Sequence, residues 1–282
     1  EALSFPQQVF SNEFSAKMIR QLTTAADGKF VIFNAAGYLY RKELPNGKPE
    51  RVTRALDFEF EPEISADGKY VIYTTWSDEL KGAIKRTDLK TGKTITLTDE
   101  KGFYYSPKYS TNGEKIVYRK GSGNQVMGFT YGKNQGIYVI NANGGGKSLI
   151  SENGIKPRFS ADDSRIFFQS YHNGKKAYKS IALNGTSEKV HYTSTYATDF
   201  LPSPDGRWMA FTELFNVYIT PMVTAGTELD LSSGNKSVPI TKVTKDGGSY
   251  IHWSGDSKKL FWTLGEEYHH KDIGSAFDFL RN

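Results

Sequence analysis

Residues 141–148 read NANGGGKS, and a lysine behind a run of glycines is the pattern of a loop that cradles phosphate. That chemistry needs successive backbone N–H groups from a first glycine five places before the Gly-Lys pair, between a strand and a helix. Asn141 stands at that place, and Gly154 and Pro157 follow where the helix would have to run. The stretch is therefore expected to be a turn. The five histidines, His172, His191, His252, His269 and His270, lack metal-ligand spacing, and on a strand the adjacent His269 and His270 point to opposite faces. A serine nucleophile would need a G-x-S-x-G elbow, and none is present. The expectation is a chain with no catalytic residue, no metal and no cofactor of its own.

The elements that position these residues are read from composition and repetition. The 282 residues are 38% hydrophobic and 14% aromatic with 27 glycines, a balance that favours many short strands joined by tight turns. No cysteine is present, which removes disulfides and thiolate metal sites. The net charge of +5 comes from lysines set singly at turns, such as Lys29, Lys48, Lys69, Lys93 and Lys258, so no nucleic-acid partner is expected. No apolar window reaches the length of a membrane span, and no leader is visible; a start at Glu1 without methionine is expected of a trimmed chain.

Six segments superimpose without gaps: TAADGKFVIF (24–33), ISADGKYVIY (64–73), YSTNGEKIVY (109–118), FSADDSRIFF (159–168), PSPDGRWMAF (202–211) and WSGDSKKLFW (253–262). Their anchors, Asp27, Asp67, Asn112, Asp162, Asp205 and Asp256, stand 40, 45, 50, 43 and 51 residues apart, the period of a propeller blade. Four places after each anchor stands an apolar residue (Val31, Val71, Ile116, Ile166, Met209, Leu260). Six places after it stands an aromatic one (Phe33, Tyr73, Tyr118, Phe168, Phe211, Trp262). That two-residue period is a strand burying one face. One anchor per copy in the same Asp-Gly setting reads as a turn former rather than a paired acid and base.

The fold class is thus all-β, a six-bladed β-propeller of four-stranded antiparallel blades. Residues 1–282 form one domain, with blades near 18–55, 56–99, 103–151, 154–194, 197–244 and 249–273 plus 4–12. Because the chain runs out after a third strand near 267–272, SFPQQVFSN (4–12) is expected to supply the last outer strand. Second glycine turns, LPNGKP, LKTGKT and ALNGTS, make NANGGGKS the outer hairpin turn of the third blade. Two long stretches, 121–136 and 221–248, are either functional loops or disordered insertions. The first carries Gly123, Asn124, Tyr131 and Asn134 as candidate interaction residues. Four places before the anchors stand Glu63, Lys108, Arg158 and His252, which line a polar channel mouth or simply solvate strand ends.

EPEISADGKYVIY, SPKYSTNGEKIVY and KPRFSADDSRIFF resemble the TolB-like propeller repeat. Over nearly the whole chain, TYGKNQGIYVINANGG (130–145), DFLPSPDGRWMAF (199–211) and YIHWSGDSKKLFWTLG (250–265) are similar to the N-terminal propeller of exported amidohydrolase-related proteins. The resemblance implies a periplasmic or secreted, non-catalytic scaffold that docks on a metal-dependent hydrolase domain or restricts access to it. The chain stops about where that barrel would begin. Two other readings follow from the same fold: a stand-alone periplasmic module binding an envelope protein, and a small-molecule propeller enzyme.

Overall fold

The computed structural model describes residues 15–121, 134–223 and 228–276. The repeated turn is its local unit. Asp67 Oδ1 accepts hydrogen bonds from the Ser65 hydroxyl (2.6 Å) and the Lys69 N–H (3.1 Å), while Ser65 Oγ accepts from Tyr70 N (2.9 Å). The same serine-to-carboxylate bond recurs in Ser160–Asp162, Ser203–Asp205 and Ser254–Asp256, each at 2.6 Å. In the first copy Ala25 replaces the serine, and Asp27 keeps the backbone bond from Lys29 N (3.0 Å) and an exposed ion pair with the Lys29 side chain (3.3 Å). These anchors are turn formers, with their side chains occupied by the turn itself.

Each turn joins the first two strands of a sheet. Blade one is β1 (Arg20–Thr24), β2 (Phe30–Ala35), β3 (Tyr38–Glu43) and β4 (Glu50–Arg51). Blade two is β5 (Phe58–Ile64), β6 (Tyr70–Trp76), β7 (Ala83–Asp88) and β8 (Thr94–Thr96). Blade three is β9 (Tyr104–Tyr109), β10 (Lys115–Lys120), β11 (Gly136–Asn141) and β12 (Ser148–Ser151). Blade four has β13 (Ile155–Phe159), β14 (Arg165–His172), β15 (Lys175–Ala182) and β16 (Lys189–Ser194). Blade five has β17 (Ala197–Pro202), β18 (Trp208–Glu213) and β19 (Asn216–Pro221). Its fourth strand is β21 (Thr241–Lys242), and blade six is β22 (Ser249–Trp253), β23 (Lys259–Leu264) and β24 (Glu267–Asp272). The molecule is an all-β, six-bladed propeller. Helix among the described residues is confined to α1 (Ile273–Ala276).

All twelve residues four and six places after the anchors are buried. The core lies between blades: Ile72, Ile84 and Leu97 of blade two pack with Tyr104, Ile116 and Tyr118 of blade three, and four further seams are built alike. The NANGGGKS stretch is the β11–β12 hairpin turn, with left-handed φ at Gly144, Gly145 and Gly146. Its Lys147 ties blade three to blade two through Asp99 (3.1 Å) and Glu100 (2.7 Å).

Two regions depart from the regular plan. In the 221–248 insertion, β20 (Leu229–Asp230) pairs in parallel with β16 and becomes a fifth outer strand of blade four. Leu231 behind it is fully buried against Tyr178, Tyr192 and Phe211, so this described part is packed structure. The second departure is the seam between blades six and one. The expected closing strand, 4–12, lies outside the described residues, among which blade six has three strands. A groove of about 1460 Å³ runs along this seam, lined by Val31, Phe33 and Tyr40 on one side and Phe261, Tyr268 and His270 on the other.

Candidate functional site

The first strands β1, β5, β9, β13, β17 and β22 form the inner edges of the sheets and surround the axis. Pro62, Pro107 and Pro157 sit in three of them, which is permitted because an inner edge needs no N–H for a further strand. Each of these strands carries a bulge six places before its anchor; Gln21, Glu61, Ser106, Lys156 and Tyr250 there have left-handed φ between 51° and 53°. At two bulges one blade's side chain holds the next blade's backbone, and at a third it pairs with a side chain there. Gln21 Oε1 accepts from Glu61 N (2.9 Å), Glu61 Oε2 accepts from Ser106 N (2.6 Å), and Lys156 pairs with Asp199. Burial raises the pKa of Glu61, opposed by the Ser106 N–H and by the charges of Lys108 and Lys156.

Two places further along lies the ring of Thr23, Glu63, Lys108, Arg158, Leu201 and His252. Glu63 and Lys108 form an ion pair between blades two and three. Arg158 is half-buried on β13 and shares a face with its cross-strand partner Phe167. His252 is a clasp across the loose seam. Its Nδ1 donates to Tyr250 O (3.0 Å), so its Nε2 accepts from the Thr24 hydroxyl (2.8 Å), which in turn accepts from Tyr268 (2.7 Å). Burial first, then the nearby Lys108 charge, depress its pKa to about 4. Of the four channel residues, the fold therefore brings Glu63 and Lys108 into contact and separates Arg158 and His252 into other seams. Thr24 and Tyr268 carry no sequence signal for this role beyond lying near repeat boundaries.

The ends of the propeller differ. The end bearing the Asp-Gly turns is charged. Among the described residues, eleven of the thirteen exposed large hydrophobic side chains lie at the opposite end; Leu149 and Val223 lie elsewhere. Leu56 (90% exposed), Leu214 (64%) and Phe215 (84%) project from linkers and hairpins there. Two aromatic rows run inward on the same end. Trp76, Phe103 and Tyr105 stack with centroids 4.3 and 6.4 Å apart, and Tyr38, Phe58 and Phe60 follow at 5.8 and 6.5 Å. Of the loop residues expected to interact, Gly123, Asn124 and Tyr131 lie outside the described residues. Asn134 caps the start of β11, its carbonyl accepting the Tyr138 hydroxyl at 2.8 Å.

No protein-family model matches the chain, and no curated protein matches it in sequence. Solved structures do. A putative TolB from Agrobacterium tumefaciens superposes with a TM-score of 0.67 at 20% identity, covering 92% of each chain. The chain has a TolB-like propeller fold. TolB from Acinetobacter baumannii gives a TM-score of 0.59 at 17% identity over 80% of this chain and 55% of that one. An oligogalacturonate lyase in complex with manganese shares the architecture, with a TM-score of 0.61 at 13% identity over 91% and 77%. At such identities the likeness is one of fold alone, and a fold does not fix a function. Among the described residues of this TolB-like propeller no group of three His, Asp or Glu side chains is placed to hold a metal ion. No helix of those residues is long and apolar enough to cross a membrane.

Proposed function

We propose that this chain is a non-catalytic binding or scaffold propeller whose apolar end, opposite the Asp-Gly turns, docks a partner protein domain. The observation that carries it is the segregation of exposed Leu56, Phe58, Leu214, Phe215 and their neighbours to one end. Scattered exposed hydrophobics are ordinary, whereas a concentration on one face marks an interaction surface. The resemblance to exported amidohydrolase-related proteins supplies the partner: a metal-dependent hydrolase domain of the same polypeptide, in the periplasm or outside the cell, which the ring supports or partly covers. A second reading, a stand-alone envelope module binding another envelope protein, is favoured by the equal 92% coverage of the Agrobacterium chain.

The test has two steps. Reading the gene past residue 282 decides between the partners, since a His-x-His followed by a barrel pattern supports the hydrolase and a stop codon leaves the second reading. Binding of the encoded partner is then measured with Phe215→Asp and Leu214→Asp. Each is expected to weaken it by about tenfold or more, as truncation of a buried anchor does. Lys29→Asp, at the turn end, leaves it unchanged. Equal effects from both ends would remove the docking reading.

A further inference from the structure

Six Asn-Gly pairs punctuate the chain, at 46–47, 112–113, 143–144, 153–154, 173–174 and 184–185. In such a pair the glycine nitrogen can attack the asparagine side-chain carbon, because no Cβ obstructs the approach and the backbone bends freely. The attack needs that N–H unengaged. Four are engaged: Gly47 N donates to Glu43 O (2.8 Å), Gly113 N to Ser110 O (2.9 Å), Gly144 N to Asn141 O (2.8 Å) and Gly185 N to Ala182 O (2.9 Å). At the fifth pair Ser151 Oγ accepts from Asn153 N (3.2 Å) and donates to Asn153 O (2.9 Å), which fixes the asparagine backbone. Gly154 beside it is wedged against Phe168, which an added Cβ would meet at 2.3 Å.

The sixth pair, Asn173–Gly174, is the tip of the β14–β15 hairpin, with left-handed φ of 49° and 78°. Both residues are exposed, and apart from its chain neighbours no atom lies within 4 Å of the place a Gly174 Cβ would take. Among the described residues the Gly174 N–H makes no hydrogen bond. Beside the tip stands a proton carrier. His172 Nε2 lies 3.1 Å from Asn173 Nδ2, the nitrogen that would have to leave, and 3.4 Å from Glu228 Oε2. A carboxylate facing Nε2 selects the ring form that carries its N–H on that side.

We propose that Asn173 is a site of spontaneous deamidation, with His172 as the proton donor to the departing nitrogen. Gly174 N bonds to Asn173 Cγ as its own proton passes to water. The Cγ–Nδ2 bond then breaks, the His172 Nε2 proton completes ammonia, and solvent returns a proton to the ring. The product is a cyclic succinimide. Water opens it at either carbonyl to give aspartate or isoaspartate, each adding a carboxylate near Glu228. Tyr171, 68% exposed beside this tip, belongs to the apolar end. The new charge therefore lands on the surface proposed for docking, yet the reaction is read on the chain alone, so it and the docking reading fail independently.

The experiment incubates the whole folded chain in neutral and mildly alkaline buffer made with heavy-oxygen water, then digests it and follows the mass of each Asn-Gly peptide; a denatured sample runs alongside. In the folded chain Asn173 is expected to take up label at least about fivefold faster than Asn46, Asn112, Asn143 or Asn184, the scale of the one backbone hydrogen bond those pairs must first break. In denaturant the rates converge. His172→Phe is expected to slow Asn173 by about threefold or more and leave the other pairs unchanged, and Asn173→Gln abolishes labelling at the tip. A folded-state rate at Asn173 no faster than at the four bonded pairs would overturn the site. A His172→Phe chain that reacts as fast as the protein would overturn the proton transfer.

Discussion

At the residue scale, His252 shows how a side chain suggested by position acquires its role from its partners. Its place four residues before an anchor put it on the axis. The chain from Tyr268 through Thr24 and His252 to the Tyr250 carbonyl makes it a neutral clasp instead of a charged channel residue. A protonated ring would lose the acceptor that Thr24 uses. The folded pKa is about 4 and the ordinary value 6.5, so between them the unfolded chain binds the extra proton. Stability from this group is full above pH 6.5 and declines as pH falls toward 4. His252→Gln is expected to flatten that part of the curve, checked by melting temperature against pH; an unchanged slope would assign the loss to other groups. None of these hydrogen bonds was legible in the sequence, because Thr24 and His252 lie 228 residues apart and meet only when the ring closes.

At the element scale, legibility followed repetition. The turn around each Asp or Asn anchor, with a serine two places before it in five of the six copies, satisfies itself within five residues, so six anchors announce six hairpins whatever surrounds them. The anchor-plus-four and anchor-plus-six positions then fix which face is buried. β20 shows the converse: two residues in an insertion without period, held by pairing to a strand about 37 residues earlier, gave no local cue. The closing strand is the element-scale prediction. Deleting residues 1–12 removes the segment expected to close the outer edge of β24, beside which the described chain begins through the Ile19 N to Gly265 O bond (3.2 Å). The truncated chain is expected to aggregate or melt more than about 5 °C lower. A superimposable melt with a monomeric elution profile would refute the latch.

At the scale of the whole molecule, the ring is polar at one end and apolar at the other. Neither property belongs to any one repeat. The exposed residues of the apolar end come from linkers of different length, so no alignment of the copies gathers them; only the alternation of strand direction sends every second connection to the same side. The same assembly produces the mixed charges around the axis, where Glu63 pairs with Lys108 and Lys156 with Asp199 from one blade to the next. Positions were readable there, whereas partners were not.

Among the described residues, the groove between the first and sixth sheets is the joint with the least apolar packing across it. Five joints are filled by clusters drawn from both sides, while at the sixth the described cluster comes from blade one, with Tyr268 packed on it and Phe261 stacked on Tyr268 at 5.4 Å from the blade-six side. Heat or pulling should part the circle there before any sheet frays, as a split washer opens at its cut. In the chain lacking residues 1–12, deuterium should accordingly enter β1 and β24 first, and β6, β10 and β14, each clamped on both flanks, should hold out longest.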